Sequence, residues 1–530
     1  MANFRWGKRA KGLLLMLLFL LPVIVHAQFD YIVTANGTIT ITGYNGPDGT
    51  VIIPSMTNGY PVTDIGNSAF YENTSLSSVV VPNSVTVIES DAFADCYNLT
   101  NISIGSGVTN IGGNVIAFGG HSSIGDNAFL YCPSLVAITV DPQNPVYSST
   151  NGVMFNNNQT TLVQFPGGLS ESYTIPNSVN KIGFEAFATA NLTGLTIPGS
   201  VTTIGSNVFS DCDSLMSIWI GSGVTNLDMF LSCPSLTNVT VDPENSVYGS
   251  TNGVLFNKEE TMLIEFPEGL GGSYTVPDSV TNIGDEAFAN ANLTSLTIPN
   301  NVTSIGNNAL YDCDSLMWVW LGSSITNLGE PFTSPSGVVI ENSTFAFCPS
   351  LTNITVDPEN PVYSSVNGVV FNKDKTTLIE FPEGLGGNYT IPDGVTNIGD
   401  EAFYQCGNLS GVFFQGDAPN AGFFVFLNDS ATVYYLPGTT GWGNTFGGDS
   451  TALWLPQIQT SDGYFGIQTN QFGFNINWAS GQTVVVEACT NLLNPVWQPI
   501  QTNTLMNSSV YFSDSQWTNY PSRYYRISPQ

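Results

Sequence analysis

Apolar residues recur along most of this chain in one short, regular phrase. "LTSLTIPNNVTSIGNNAL" at residues 293–310 and "LTGLTIPGSVTTIGSNVF" at 192–209 share the pattern L-x-x-L-x-I-P-x-x-V-x-x-I-G-x-x-A-F, and looser copies run from residue 51 to about 415. The alternation in L-x-I predicts a short strand whose alternate side chains point inward. Leu293, Leu296, Ile298, Val302, Ile305 and Leu310 are expected to face one core, with Gly306 where one short segment turns into the next. Pro176 to Pro198 spans 22 residues, and so does Pro277 to Pro299. A single coil of that length cannot bury its apolar face, whereas stacked coils can, so the pattern predicts a solenoid.

A longer period is laid over the short one. "VDPQNPVY", "VDPENSVY" and "VDPENPVY" begin at Val140, Val241 and Val356, spacings of 101 and 115 residues. The extra residues of the second interval fall around "EPFTSPSGVVIENST", which reads as a loop insertion at a coil edge. Each long block also holds "NGVMF", "NGVLF" or "NGVVF", and Asn-Gly between strand-like runs predicts a hairpin or tight turn. Each block is thus expected to contain a few regular coils and one irregular, hairpin-bearing coil.

The ends differ in texture. Residues 1–27 place Arg5, Lys8, Arg9 and Lys11 before an apolar run from Leu13 to Val25, with Val25-His26-Ala27 as a small-residue cleavage site; this reads as a secretory signal peptide. Residues 28–416 form the repeat region. Residues 417–455, with one further strand and a Gly/Trp-rich turn, are read as the cap that shields the last apolar coil. Residues 456–530 alternate apolar and polar positions in "FGFNINW", "TVVVEACTN" and "SVYFSD", which suggests a small antiparallel β-sandwich.

The opening L-x-x-L-x-[IL] is the leucine-rich-repeat pattern. "VPNSVTVIESDAF" at 81–93 and "IPDGVTNIGDEAF" at 391–403 resemble the BspA-like leucine-rich-repeat family of bacterial surface proteins, as does the opening "ITGYNGPDGTVIIPSMTNGYPVTDIGNSAF". The resemblance covers roughly residues 38 to 416. It implies a mainly β, leucine-rich-repeat solenoid, here followed by the small C-terminal domain, and a role in adhesion and protein binding outside the cell. The repeat motif carries no binding residues, so none transfers.

Charge narrows the choice of partner. Without residues 1–27 the chain keeps six basic residues against 41 acidic ones, a net of −35. Nucleic acid and anionic membrane are poor partners for such a surface, because both are bound by neutralising phosphate. The expected partner is an extracellular protein or a polysaccharide, with no membrane insertion after signal cleavage. His121, in a Gly/Ser-rich insertion, is the one histidine left in the mature chain, so neither a His-based triad nor a multi-histidine metal site is expected. No cofactor is expected either.

Candidate chemistry follows from the repeat. The outward position between two inward ones is often Thr: Thr139, Thr174, Thr196, Thr240, Thr275, Thr297, Thr355 and Thr390. Stacking makes these a ladder of β-branched residues suited to a half-exposed sheet face. Trp219, Trp320 and Phe413 replace Thr in that ladder, and Trp318 lies two residues before Trp320. Outward aromatics on a rigid face suit an interaction surface or the stacking of sugar rings, unless a neighbouring loop covers them.

Seven cysteines, Cys96, Cys132, Cys212, Cys233, Cys313, Cys348 and Cys406, precede the "xxL" that starts a coil, and Cys489 lies in the last domain. Bridges between neighbouring coils and buried free thiols both fit that placement, the latter because Ala190 and Ala291 occupy the same position elsewhere. Acidic pairs such as Asp211/Asp213, Asp312/Asp314 and Asp242/Glu244 recur with the repeat, which favours a solvated rim over one catalytic pair. A secreted binding protein is the leading reading. A structural matrix component and a polysaccharide-acting enzyme stand as alternatives.

Overall fold

The computed structural model describes residues 28–112, 127–227, 232–328 and 344–530, together with the backbone of two short strands, Phe332–Thr333 and Val339–Ile340. Residues 1–27, expected to be a signal peptide, His121 and most of the insertion around residues 330–343 lie outside the described residues. The chain divides into two compact units, residues 1–258 and 259–530. Each is built from short strands, and the one helical turn among the described residues is a three-residue 3-10 segment, Trp517–Asn519.

In the first unit the L-x-I phrases form parallel ladders. Gly49–Ile52, Leu76–Val80, Asn101–Ile104 and Ala137–Val140 make one ladder, with Val51, Val79, Ile102 and Ile138 stacked in register. Tyr173–Thr174, Gly194–Ile197, Ser217–Ile220 and Asn238–Val241 make the next, with Leu195, Ile218 and Val239 aligned. The I-G phrases pair along a second side of the coil, as in Ile65, Ile88 and Ile111. The A-F phrases bond along a third, where the amide of Phe70 donates to the carbonyl of Ala92 and that of Phe93 to the carbonyl of Ala128. An antiparallel hairpin, Phe29–Val33 with Ile39–Tyr44, closes the N-terminal end of the stack.

The second unit repeats the scheme. Gly272–Thr275, Leu293–Ile298, Trp318–Leu321 and Asn353–Val356 form one parallel ladder. Gly387–Thr390, Leu409–Phe414, Thr432–Tyr435 and Asp449–Leu453 form another. Where one strand was expected in residues 417–455, the segment carries Asn420–Ala421, Thr432–Tyr435, Thr445–Phe446 and Asp449–Leu453, so parallel pairing continues to Leu453. Beyond it, two antiparallel sheets share one core: Phe474, Ile476 and Phe512 from the first meet Val484 and Val486 from the second.

Leu293, Leu296, Ile298, Val302, Ile305 and Leu310 are all buried, as their spacing predicts. Burying aliphatic side chains coil upon coil is the main force on the stack, at about 25 cal/mol per Å². Phenylalanines add short stacked runs within each unit: Phe70 and Phe93 lie 4.9 Å apart between centroids in the first, and Phe381, Phe403 and Phe426 succeed one another at 4.9 Å in the second. Gly306 has a different reason from a simple turn. A Cβ there would meet the main chain of Gly284 and Asp285 at 2.5 Å, so only glycine lets adjacent coils close at this corner.

The irregular coil of each block is a hairpin held by a buried asparagine. Asn151-Gly152, Asn252-Gly253 and Asn367-Gly368 all have positive φ at both residues, as a two-residue I′ turn requires. The flanking strands pair antiparallel, for example Tyr248–Thr251 with Val254–Asn257. Upstream, the Asn of "VDPxNxVY" packs under the coil before it. Asn360 Nδ2 donates to the carbonyls of Gly322 and Ile325 at 3.0 and 2.9 Å, while Oδ1 accepts from the amides of Val362 and Tyr363 at 2.9 and 2.7 Å. Asn144 and Asn245 make the corresponding four bonds.

Candidate binding face

The outward residues of each ladder line up into columns because a parallel register repeats side chain over side chain. In the first unit one column reads Thr174, Thr196, Trp219, Thr240, and the column beside it Gly194, Ser217, Asn238. In the second unit the corresponding columns read Thr275, Thr297, Trp320, Thr355 and Ser273, Ser295, Trp318, Asn353. Trp219 is 38% exposed, and Trp318 and Trp320 are half-buried. The indole N–H of Trp318 donates to Thr355 Oγ1 at 3.4 Å, which ties the ring to the following coil.

The same coils expose a residue that sequence reasoning passed over. Met216 and Met317, three residues before Trp219 and Trp320, are 54% and 52% exposed. Each sits between two threonines: the amide of Met216 bonds to Thr193 and its carbonyl to Thr237, and Met317 bonds likewise to Thr294 and Thr352. One coil in each unit thus bears an exposed Met and, three residues on, an outward Trp, referred to below as the Met–Trp stripe, with Thr on both neighbouring coils. The signal was present in "LMSIWI" and "LMWVWL", which stand 101 residues apart.

Phe413 lies in a different setting. Tyr434 stacks on it at 4.7 Å with the ring planes 10° apart, and Trp454 meets it edge-on at 4.8 Å. Gly411 makes room for this cluster, since a Cβ there would approach the Phe413 and Tyr434 rings to 3.0 Å. Phe413 and Trp219 thus occupy equivalent ladder positions, but the rings around Phe413 give it an aromatic neighbourhood in place of threonines. In the first ladder the column reads Ile52, Val80, Ser103, Thr139, beside a shallow groove of about 460 Å³ that includes Asn83 and Asp141.

All eight cysteines are buried, as thiols rather than disulfides. The seven repeat thiols each donate to a main-chain carbonyl one coil back, Cys96 to Phe70, Cys132 to Phe93, Cys212 to Phe187, Cys233 to Phe209 and Cys313 to Phe288, at 3.1–3.2 Å. Cys348 bonds to Leu310 at 3.1 Å and Cys406 to Phe381 at 3.6 Å. Burial pushes the Cys96 thiol up to about 12. Such thiols are poor nucleophiles, because the thiolate is the reactive form.

The acidic pairs sit at strand ends. Asp242 Oδ1 accepts the amide of Glu244 at 2.9 Å, and Asp211 accepts the hydroxyl of Tyr131 at 2.6 Å. Burial, with Asp314 adding to it, raises Asp312 above the ordinary carboxylate range. Among the described residues no group of three or more His, Cys, Asp or Glu side chains is placed to hold a metal ion. One carboxyl pair does not recur with the repeat. Asp429 and Asp449 meet in the last coil, where burial and Asp449 drive the Asp429 carboxyl well up. Asp429 Oδ1 accepts the amide of Ala431 at 3.1 Å, and the Oδ2 atoms of both residues are shut off from solvent.

The family described as BspA type leucine rich repeat region matches residues 169–270, 272–386 and 331–440, in six copies. A comparison with curated proteins gives no match. Among solved structures, a leucine-rich cell surface protein from Faecalibacterium prausnitzii is 24% identical, with 77% of this chain and 93% of that one covered and a TM-score of 0.35. A leucine-rich repeat protein from Eubacterium ventriosum is 20% identical over 80% and 98% of the two chains, at a TM-score of 0.40. One from Bacteroides ovatus is 21% identical over 77% and 93%, at 0.32. With the phrase repeated in sequence, the ladders it builds and a match over half its length, the chain belongs to the BspA-type leucine-rich-repeat family.

Proposed function

We infer that this chain is an exported binding protein of the cell surface or surrounding medium, which holds an extracellular protein or polysaccharide on the outward face of its parallel ladders. The observation that carries this reading is the Met–Trp stripe, Met216 with Trp219 and Met317 with Trp320, set in a face of Thr, Ser and Asn. Large apolar side chains exposed on a rigid frame remove apolar surface from water when a ligand covers them, which is the property of an interaction surface. Export rests on the signal-like residues 1–27 and agrees with the resemblance to surface proteins. No catalytic role is assigned to any residue.

The reading is tested by expressing the full chain with its leader in a bacterial host. The protein recovered outside the cytoplasm is expected to begin at Gln28 by mass spectrometry and to bind at least one extracellular macromolecule. Retention of the whole protein in the cytoplasm, with its leader uncut, would remove the basis for export.

A further inference from the structure

We propose that the Met–Trp stripe of each unit is a platform for an uncharged, hydroxyl-rich polysaccharide, whose pyranose rings stack on Trp219 in the first unit and on Trp318 and Trp320 in the second. This inference rests on the binding reading above and names the chemistry of its ligand. Three features of the stripe select that chemistry.

The first is the aromatic surface. An indole face carries negative electrostatic potential, and the axial C–H bonds of a pyranose present weakly positive hydrogen, so ring and sugar attract as well as exclude water. The second is what surrounds the indoles. Thr196, Thr240, Ser217 and Asn238 flank Trp219, and Thr297, Thr355, Ser295 and Asn353 flank the second pair. These hydroxyls and amides both donate and accept, as sugar hydroxyls do. Ser295 already bonds Ser273 at 2.8 Å and Asn238 bonds Thr240 at 3.3 Å, so the groups are held in place before a ligand arrives.

The third is charge. Neither pair of columns contains an ionisable residue, although the chain carries 41 acidic side chains. The acids stand at the strand ends instead, Asp213 and Asp242 in the first unit, Asp314 and Asp357 in the second. That arrangement repels a polyanion and leaves an uncharged strip for a neutral chain. The stripe is shallow, which suits a polymer lying along it better than a small molecule sealed in a pocket. Its recurrence after 101 residues gives each unit its own copy of the same contact.

The test uses the full mature chain and co-sedimentation with insoluble β-1,4-glucan, β-1,3-glucan and chitin. A parallel arm measures capture by immobilised, deglycosylated extracellular proteins. The variant Trp219→Thr/Trp318→Ser/Trp320→Thr places at each site the residue that equivalent ladder positions already hold, so the fold is kept; circular dichroism checks this. A second variant, Trp219→Phe/Trp318→Phe/Trp320→Phe, keeps the aromatic faces. The parent is expected to bind a neutral polysaccharide equally at low and high salt. The Thr/Ser variant is expected to lose about tenfold or more in affinity, and the Phe variant to keep most of it.

Polysaccharide binding that survives the Thr/Ser variant, or that high salt abolishes, overturns the proposal. Capture by proteins alone, lost in the Thr/Ser variant, overturns the sugar chemistry and leaves the binding face standing. Failure of both arms removes the binding reading itself.

Discussion

The side chain of Asn360 is inaccessible to solvent and uses both its amide hydrogens and both its oxygen lone pairs. Asn360→Ala would orphan two carbonyls and two amides beneath the preceding coil, at a cost of about 2–4 kcal/mol. Asn360→Asp keeps the shape but turns a donor into an acceptor facing two carbonyls, and it should destabilise at least as much near neutral pH. Urea denaturation of the two variants checks both statements. At Asp429 the sign is reversed. This carboxyl binds its proton more tightly folded than unfolded, so its contribution is full at acid pH and is lost as pH rises from about 4 through the raised folded value. The last coil should therefore loosen across the neutral range, and Asp429→Asn should flatten that dependence. Melting curves at about pH 5 and about pH 8 decide it, and equal pH dependence in the parent and the variant would count against the raised proton affinity of Asp429.

At the scale of the element, the hairpins depend on their turns. Gly253 has φ of 85°, and a Cβ there would lie 2.8 Å from the carbonyl of Thr237. Gly253→Ala meets both penalties and is expected to cost about 2 kcal/mol, read as faster hydrogen exchange across residues 248–257 than elsewhere in the unit. These hairpins were legible in the sequence, because Asn-Gly between apolar runs has a local cause. So were the ladder strands, whose two-residue period is local as well. The asparagine of the irregular coil was not legible. Between Asp, Pro and Glu it reads as part of an exposed turn, and its burial comes from the coil stacked before it. The clue lay in comparing copies: Gln143, Glu244 and Glu359 differ beside it, as do Pro145, Ser246 and Pro361, while Asn144, Asn245 and Asn360 do not. The candidate face was half legible. Trp219, Trp318 and Trp320 stand out as breaks in a Thr column, but the neighbours of Phe413 come from residues 434 and 454 and are set by the fold.

For the whole molecule, bonding between successive coils has a consequence for length. Each regular coil is held chiefly by the coils next to it, so stability adds up along a stack. Excising residues 141–241 joins Val140 to Asp242 and restores the phrase "VDPENSVY" in register. That shortened chain is expected to fold cooperatively with the same circular dichroism per residue; aggregation on purification would show that the blocks are not interchangeable. The direction of the hydrogen bonds matters too. They run from coil to coil, along the line in which a stack grows, so a pull along that line loads them one coil at a time, whereas sliding a coil along its strand would load a whole row together. Drawn out by its ends, such a stack opens like a zip rather than shearing as one block. Each 22-residue coil released adds roughly 75 Å of chain. Under a steady pull such a stack would yield in steps, one coil after another.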